Sequence, residues 1–375
     1  MTGAVGRDVR RCGAVLALLV VGAVAGCTQT AEPSAPDASP APAGSTTETP
    51  RPTTPPREPR PAAVEIAVAG DVHFEGALAQ RLLRPATALT PATTALAAAD
   101  VAIVNLETSV GSGGRPEPGK RFVFSAGAAA FEALAAAGID VASMANNHAL
   151  DLGRARLPST LRAAAAARPA LAVVGVGADE GDAFAPAVTD VDGTRVATIA
   201  ASAADQDPTA DPTGGWAAGP DLPGVADAND PRRLLRAVRR ADAKVDVVVT
   251  YLHWGVQGER CPSTHQRSLA RRLVGAGADV VVGSHAHELQ GDGRLGPGYV
   301  AYGLGNFAWY SPGPTGVLTL TVQPPPEPAG RARVTATRWW PATIGADGLA
   351  APDSGAAAAA SREHRRALRG CAGLG

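Results

Sequence analysis

The sequence predicts a layered α/β domain carried behind an amino-terminal signal and a tether, and three observations lead there. From Val64 onward, apolar runs of strand length alternate with helix-like segments. The first sixty or so residues have the composition of a leader and linker, not of a domain. Five of the seven histidines stand in short polar clusters that directly follow the apolar runs. A layered α/β fold gathers its ligand-binding groups at the carboxyl ends of its strands, so the clusters are expected on one rim.

The amino terminus comes first. Arg7, Arg10 and Arg11 precede the apolar stretch Ala14 to Gly26, which is too short to span a bilayer as a mature helix. Val24-Ala25-Gly26-Cys27 resembles the lipobox of bacterial lipoprotein signal peptides. That resemblance implies a signal peptide over residues 1–27, lipidation at Cys27 and an extracytoplasmic protein lipid-anchored to the cell membrane. An uncleaved anchor, or an ordinary signal with an incidental Cys, is the competing reading. Residues 28–63 are Pro, Ala, Thr, Ser and Glu with almost no large apolar side chain, the composition of a disordered tether. At ~3.1 Å per residue such a tether reaches on the order of 100 Å.

Residues 64–345 form the expected domain, and residues 346–375 an Ala/Arg-rich tail or loose helix. A net charge of −1 shows no nucleic-acid footprint and no general polyanion-binding surface. Cys12 belongs to the signal and Cys27 to the lipobox. Cys261 and Cys371 remain, and outside the cytoplasm they are free to pair.

Within the domain, Val64 to Ala69 and Val101 to Val104 read as strands that stop at Gly70-Asp71 and at Asn105. Ser125 reads as the cap of an Ala-rich helix, Ala128 to Ala137, ended by Gly138. Strands are then expected over Ile139 to Met144, Leu171 to Val176 and Val196 to Ala200, with a helix over Leu157 to Ala167. The Gly/Pro/Asp-rich stretch Asp205 to Asp230 reads as a long loop, a candidate lid. Pro231 opens a helix, Arg232 to Ala243. The strand Val245 to Leu252 delivers His253, Ser263 caps a helix to Val274, and the strand Asp279 to Val282 delivers His285 and His287. Tyr299 to Tyr302, Val317 to Val322 and Ala332 to Trp339 complete the strands.

The clusters are GDVH (Gly70 to His73), NLE (Asn105 to Glu107), ANNHALD (Ala145 to Asp151), LHWG (Leu252 to Gly255) and GSHAH (Gly283 to His287). Asp, His, Asn and Glu without thiolates are oxygen and nitrogen donors for divalent metals such as Mn, Fe or Zn. Asp71 and His73 are two apart and point the same way if the chain stays extended; otherwise Asp71 is a turn residue beside a chance His. His285 and His287 repeat that spacing. His253 is a third imidazole donor or a core histidine bonded to a carbonyl. Either Asn146 or Asn147 is available as an amide ligand, and either Asn105 or Glu107 as a bridging group. A buried, unpaired Glu107 would be costly, which makes a cation its natural partner. His148 is placed to donate a proton to a leaving group. Asp151 either orients its ring or caps a helix. His265 and His364 are assigned no role.

The ordered set GDVHFEG, VNLETSV, ANNHALDLG, HWG, GADVVVGSHAHELQG and YGLGNF, spanning Ile66 to Phe307, resembles the CapA family of poly-gamma-glutamate capsule-synthesis proteins. That family belongs to the calcineurin-like metallophosphoesterase superfamily. The resemblance implies a sandwich of two β-sheets flanked by helices with a dinuclear metal site at one edge. It also implies Asp71, His73 and His287 as ligands of one ion, Asn147, His253 and His285 as ligands of the other, and His148 as general acid. Where the superfamily bridges its ions with the Asp of a Gly-Asp motif, this chain has Asn105-Leu106-Glu107. The implied function is a membrane-anchored hydrolase acting on an anionic envelope polymer or a phosphoester, together with capsule-synthesis partners. Two alternatives stand beside it: a non-catalytic polymer-binding or export subunit, and an extracytoplasmic metal-dependent phosphoesterase.

Overall fold

A computed structural model describes residues 62–374, apart from residues 212, 214, 328 and 329. The expected signal, Cys27 and nearly all of the tether lie outside the described residues. Among the described residues, no helix is long and apolar enough to cross a membrane.

The chain builds two sheets in three passes. It first lays down β1 (Val64–Val72), β2 (Val101–Leu106), β3 (Val141–Ser143) and β4 (Ala172–Val174), all parallel. Helices α1 (Ala129–Ala136) and α2 (Leu157–Ala166) intervene between these strands. It then crosses to a second sheet of β5 (Ala187–Val191), β6 (Thr194–Ser202), β7 (Val247–Trp254), β8 (Val280–His285), β9 (Asp292–Leu295) and β10 (Gly298–Ala301). There β6, β7, β8 and β10 are parallel, with antiparallel edges β5 and β9. The last pass returns to the first sheet with β11 (Asn306–Ala308), β12 (Gly313–Gln323), β13 (Arg333–Ile344) and β14 (Ala350–Pro352).

Alternation along the second sheet explains why it is sandwiched. Val247, Val249 and Tyr251 point into one apolar core shared with Ile66, Val68 and Ile103 of the first sheet. Val248 and Leu252 point the other way. There they meet Leu234 and Val238 of α3 (Arg232–Asp242) and Leu269 and Leu273 of α4 (Thr264–Ala276). A strand buried on both faces reads as an unbroken apolar run, which is what β7 and β8 show. The start of α4 follows its local signal: Ser263 accepts from the Gln266 N–H, and the Gln266 side chain returns to the Ser263 N–H.

Three expectations are corrected. Ser125 does not cap α1, whose amino end lies at Ala128 without a side-chain bond; Ser125 instead pairs with Ser109 in a two-residue ladder. Asp151 caps no helix, because α2 begins only at Leu157. The carboxyl-terminal stretch is not loose. It forms α5 (Gly355–Ala372), which buries Ala358, Leu368 and Ala372. Arg365 meets the buried Asp292 at 2.6 Å, and Cys371 is joined to Cys261. The acid that holds Arg365 and Arg369, Asp292, lies far away in sequence. The edge strand β5 carried too little apolar content to be anticipated.

Gly70 is where β1 meets the segment leading into β11. A Cβ there would lie 1.8 Å from the Gly305 carbonyl oxygen and 2.8 Å from that of Leu304. Asp71 N–H donates to the same Gly305 oxygen. Neither backbone can retreat, so Gly70→Ala is expected to cost at least about 3 kcal/mol in a denaturant melt, the upper end of overpacking penalties. Unchanged stability would mean that the Leu304–Gly305 segment does not cross there.

Candidate metal centre

The parallel strands β1, β2, β3, β7 and β8 end on one rim. Asp71 stands in register with Asn105, and His253 with Ser284. Asp71, Asn105, Glu107, Asn146, Asn147, His148, Asp151, His253 and His285 are all buried there.

Donor atoms converge in two groups that share Glu107. In the first, His253 Nε2 lies 2.8 Å from Asn147 Oδ1, 3.0 Å from His285 Nδ1 and 3.6 Å from Glu107 Oε1. In the second, Asp71, Glu107 and His287 come together, with His287 Nδ1 3.4 Å from Asp71 Oδ2. Neither carboxylate oxygen of Glu107 has a hydrogen-bond partner. A buried acid left bare in this way marks a place that a cation completes.

The local electrostatics keep Asp71 ionised and the imidazoles neutral, while Glu107 is held against ionisation until a cation offsets its charge. Burial raises the Glu107 carboxyl well above its ordinary range, reinforced by the Asp71 charge. Burial also raises Asp71, but its bond and ion pair to His287, with bonds from Ser284 and Asn105, outweigh it and hold the group low. His253 falls well below the ordinary imidazole value, first through burial and then through its histidine neighbours. Burial lowers His285 and His148 against the pull of Asp207 and Asp151. Neutral imidazoles beside carboxylates, with one bare Glu between them, fit divalent ions bound through mixed N/O donors.

The backbone explains how one dipeptide spacing serves two groups. His285 and His287 have φ of 94° and 56°, a region unfavourable for residues with a Cβ. The chain therefore leaves its extended path at His285, sending that ring to the first group and His287 to the second. The same-side expectation for Asp71 and His73 fails at a bulge between Asp71 and Val72. His73 joins neither group: its ring stacks on Phe124 at 5.0 Å and meets the edge of Trp309 at 4.2 Å, and its Nδ1 accepts from Glu75 N–H. Burial, with His148 and His287 nearby, depresses its pKa to about 3.

The paired asparagines separate by their bonds. Asn105 donates to Asp71 and accepts from Asn146, while Asn146 also donates to the Leu106 carbonyl and accepts from His148 N–H. Both are spent on holding the rim, whereas Asn147 Oδ1 faces His253. His148 Nδ1 donates to Asp151 Oδ2 at 2.6 Å, and its Nε2 stands 3.8 Å from Glu107. Phe124 stacks on the imidazole at 4.1 Å.

Three contributors were missed in the sequence. Lys120, buried to 1% exposure, holds Asp151 Oδ1 at 3.0 Å and the Asn147 carbonyl at 2.5 Å. Its one local signal was rarity, since it is one of only two lysines in the chain. Asp207, from the expected loop, places Oδ2 3.2 Å from His285 Nε2 and accepts from Gln257 N–H. Asn306 Oδ1 lies 2.8 Å from His287 Nδ1. Beside the donors a cleft of about 260 Å³ opens between Phe122, Phe124, Trp309 and Tyr310, with Arg121 tied to Asp211 at its edge.

A sequence model of the family described as bacterial capsule synthesis protein PGA_cap matches residues 65–311. The capsule biosynthesis protein CapA of Bacillus anthracis is 34% identical over 183 residues, covering 48% of this chain and 42% of that protein. The PGA biosynthesis protein CapA of Bacillus subtilis is 34% identical over 171 residues, covering 45% and 42%. A probable polyglutamine synthesis accessory protein of Mycobacterium tuberculosis is 31% identical over 196 residues, covering 51% and 50%. The matches thus span about half the length, or less, of these curated relatives. A crystal structure of a novel phosphatase from Mycoplasma pneumoniae is 14% identical with a TM-score of 0.45, covering 75% of this chain and 94% of that one.

Proposed function

The chain belongs to the bacterial capsule synthesis protein family PGA_cap, and from that premise we propose that it is a metal-dependent hydrolase of envelope-polymer metabolism. In this reading it is held outside the cell membrane through lipid on Cys27 and works on a poly-gamma-glutamate-type polymer or a phosphoester beside capsule-synthesis partners. The observation that carries the chemistry is the bare carboxylate of Glu107 between two donor groups.

Glu107, Asn147, His253 and His285 would hold one ion, and Asp71, Glu107 and His287 a second, with Mn, Fe or Zn suiting the donor set. Bound ions of this kind supply Lewis acidity at a phosphoryl or carbonyl oxygen. The protein's own groups do the rest. Asp151 accepts from His148 Nδ1 and fixes the ring, so once the imidazole has taken up a proton, Nε2 is the atom that passes it to a departing group. Lys120 pins Asp151 in turn, and Phe124, stacked on both His73 and His148, lines the cleft.

Two measurements test this. Metal-stripped protein given Mn should take up two ions per chain, melt at higher temperature, and turn over a generic phosphodiester or a gamma-linked glutamate oligomer. His148→Asn should lower turnover by about 10²- to 10⁴-fold, the usual contribution of a positioned acid, while the Mn-induced rise in melting temperature persists. Equal turnover in the variant rejects the acid role. Two bound ions without turnover, with polymer retained, would select the non-catalytic binding subunit.

A further inference from the structure

A second concave site lies apart from the metal centre and shares no lining residue with its cleft. It encloses about 380 Å³ between α3 and the segment from Glu180 to Val188. One wall carries Arg233, Arg236 and Arg240, spaced three and four residues apart on one line of α3, with Lys244 just past the helix end. Seven residues at ~1.5 Å rise set the three arginines along about 10 Å of the helix. Arg195 adds a fifth cation from β6, its Nη1 bonded to the Lys244 carbonyl. The only acid in the lining is Glu180, and it is already paired with Arg233.

Arg236, Arg240 and Lys244 have no carboxylate at ion-pair distance among the described residues. Like charges four apart on a helix repel by about 0.2–0.5 kcal/mol per pair. Leu234, Leu235 and Val238 on the opposite face account for the packing of α3, and that packing needs none of these cations. The facing wall is apolar: Phe184, Pro186 and Val188, the last 46% exposed, with Val245 beside Lys244. The chain's net charge of −1 conceals this patch, because it averages over the whole surface.

We propose that this groove binds a linear aliphatic polycarboxylate, laying carboxylates on the cationic stripe and methylenes on the apolar wall. Guanidinium forks accept carboxylates in pairs, and a row of them suits a chain with repeated charges better than a single ion. A concave site excludes a flat membrane surface, and its volume excludes a duplex. The apolar wall favours a polymer with aliphatic spacing over polyphosphate. Binding here needs no metal, so this proposal and the hydrolase reading can fail separately.

The test uses the full chain treated with chelator and a fluorescent poly-gamma-glutamate oligomer, read by anisotropy at low and raised salt. Wild type should bind, with affinity falling as salt screens the stripe. The combined Arg236→Ala, Arg240→Ala and Lys244→Ala variant should bind at least about tenfold more weakly, some 1.4 kcal/mol. Its melting temperature and its response to Mn should be unchanged. Val188→Glu, which puts an acid on the opposite wall and removes no cation, should also weaken binding. Glu107→Gln should bind as wild type does. Undiminished affinity in the combined variant or in Val188→Glu overturns the proposal. So does loss of binding in Glu107→Gln, or equal affinity for polyphosphate of matched charge.

Discussion

Glu107→Gln should make the metal-free protein more stable while abolishing its stabilisation by Mn. In the metal-free chain Glu107 is fully buried with both oxygens bare, and Asp71 beside it raises its pKa further. An amide of the same shape cannot ionise, so it avoids the cost of keeping that carboxyl protonated, and it offers Asp71 a donor. Each pH unit between the unfolded and folded titration of such a carboxyl is worth about 1.4 kcal/mol, so the gain near neutral pH should be about 1–4 kcal/mol. The sign of the pH dependence follows from the raised pKa. The wild-type carboxyl is protonated in both states below its unfolded value, so the two proteins should converge in acid. As pH climbs past that value, the unfolded chain releases a proton that the folded chain retains, and wild type loses stability relative to the variant. Denaturant melts of chelated protein across pH, repeated with Mn, read both effects. A variant less stable than wild type when stripped, or still stabilised by Mn, would remove Glu107 from the centre.

Breaking the Cys261–Cys371 bond should produce the other large effect. The link joins residues 110 apart, and the chain-entropy account assigns about 4.7 kcal/mol to closing a loop of ~100 residues. Cys371→Ser leaves the other restraints on α5 in place. Arg365 still meets Asp292 and lies over Trp339, and Arg267 still donates to the Cys371 and Ala372 carbonyls. The variant should therefore fold, with unfolding free energy lower by about 3–5 kcal/mol, and reductant should reproduce the loss in wild type. A difference under about 1 kcal/mol would show that these polar contacts alone hold the helix.

Most of the framework was readable because it rests on short-range rules. The runs that become β1, β2, β7 and β8 are apolar on both faces, and a strand covered by helices on one side and a sheet on the other needs nothing else. Ser263 and Gln266 announced a capping box within four residues. Ser125 failed as a cap because its partner, Ser109, lies across a loop and competes for the same backbone. The tail failed as a tail because the acid that fixes Arg365 sits on β9.

For the site, residue types and their position after strands determined by themselves which donors exist and that they meet on one rim, since parallel strands deliver their carboxyl ends together. Only the tertiary structure decided the partition. The positive φ at His285 and His287 divides one spacing between two groups, and the bulge after Asp71 turns His73 onto Phe124. Only the packed fold brings Lys120 to Asp151 and Asp207 to His285. Periodicity records which way a side chain faces along its own strand. A contact between distant loops depends on where two backbones cross, and no local pattern encodes that.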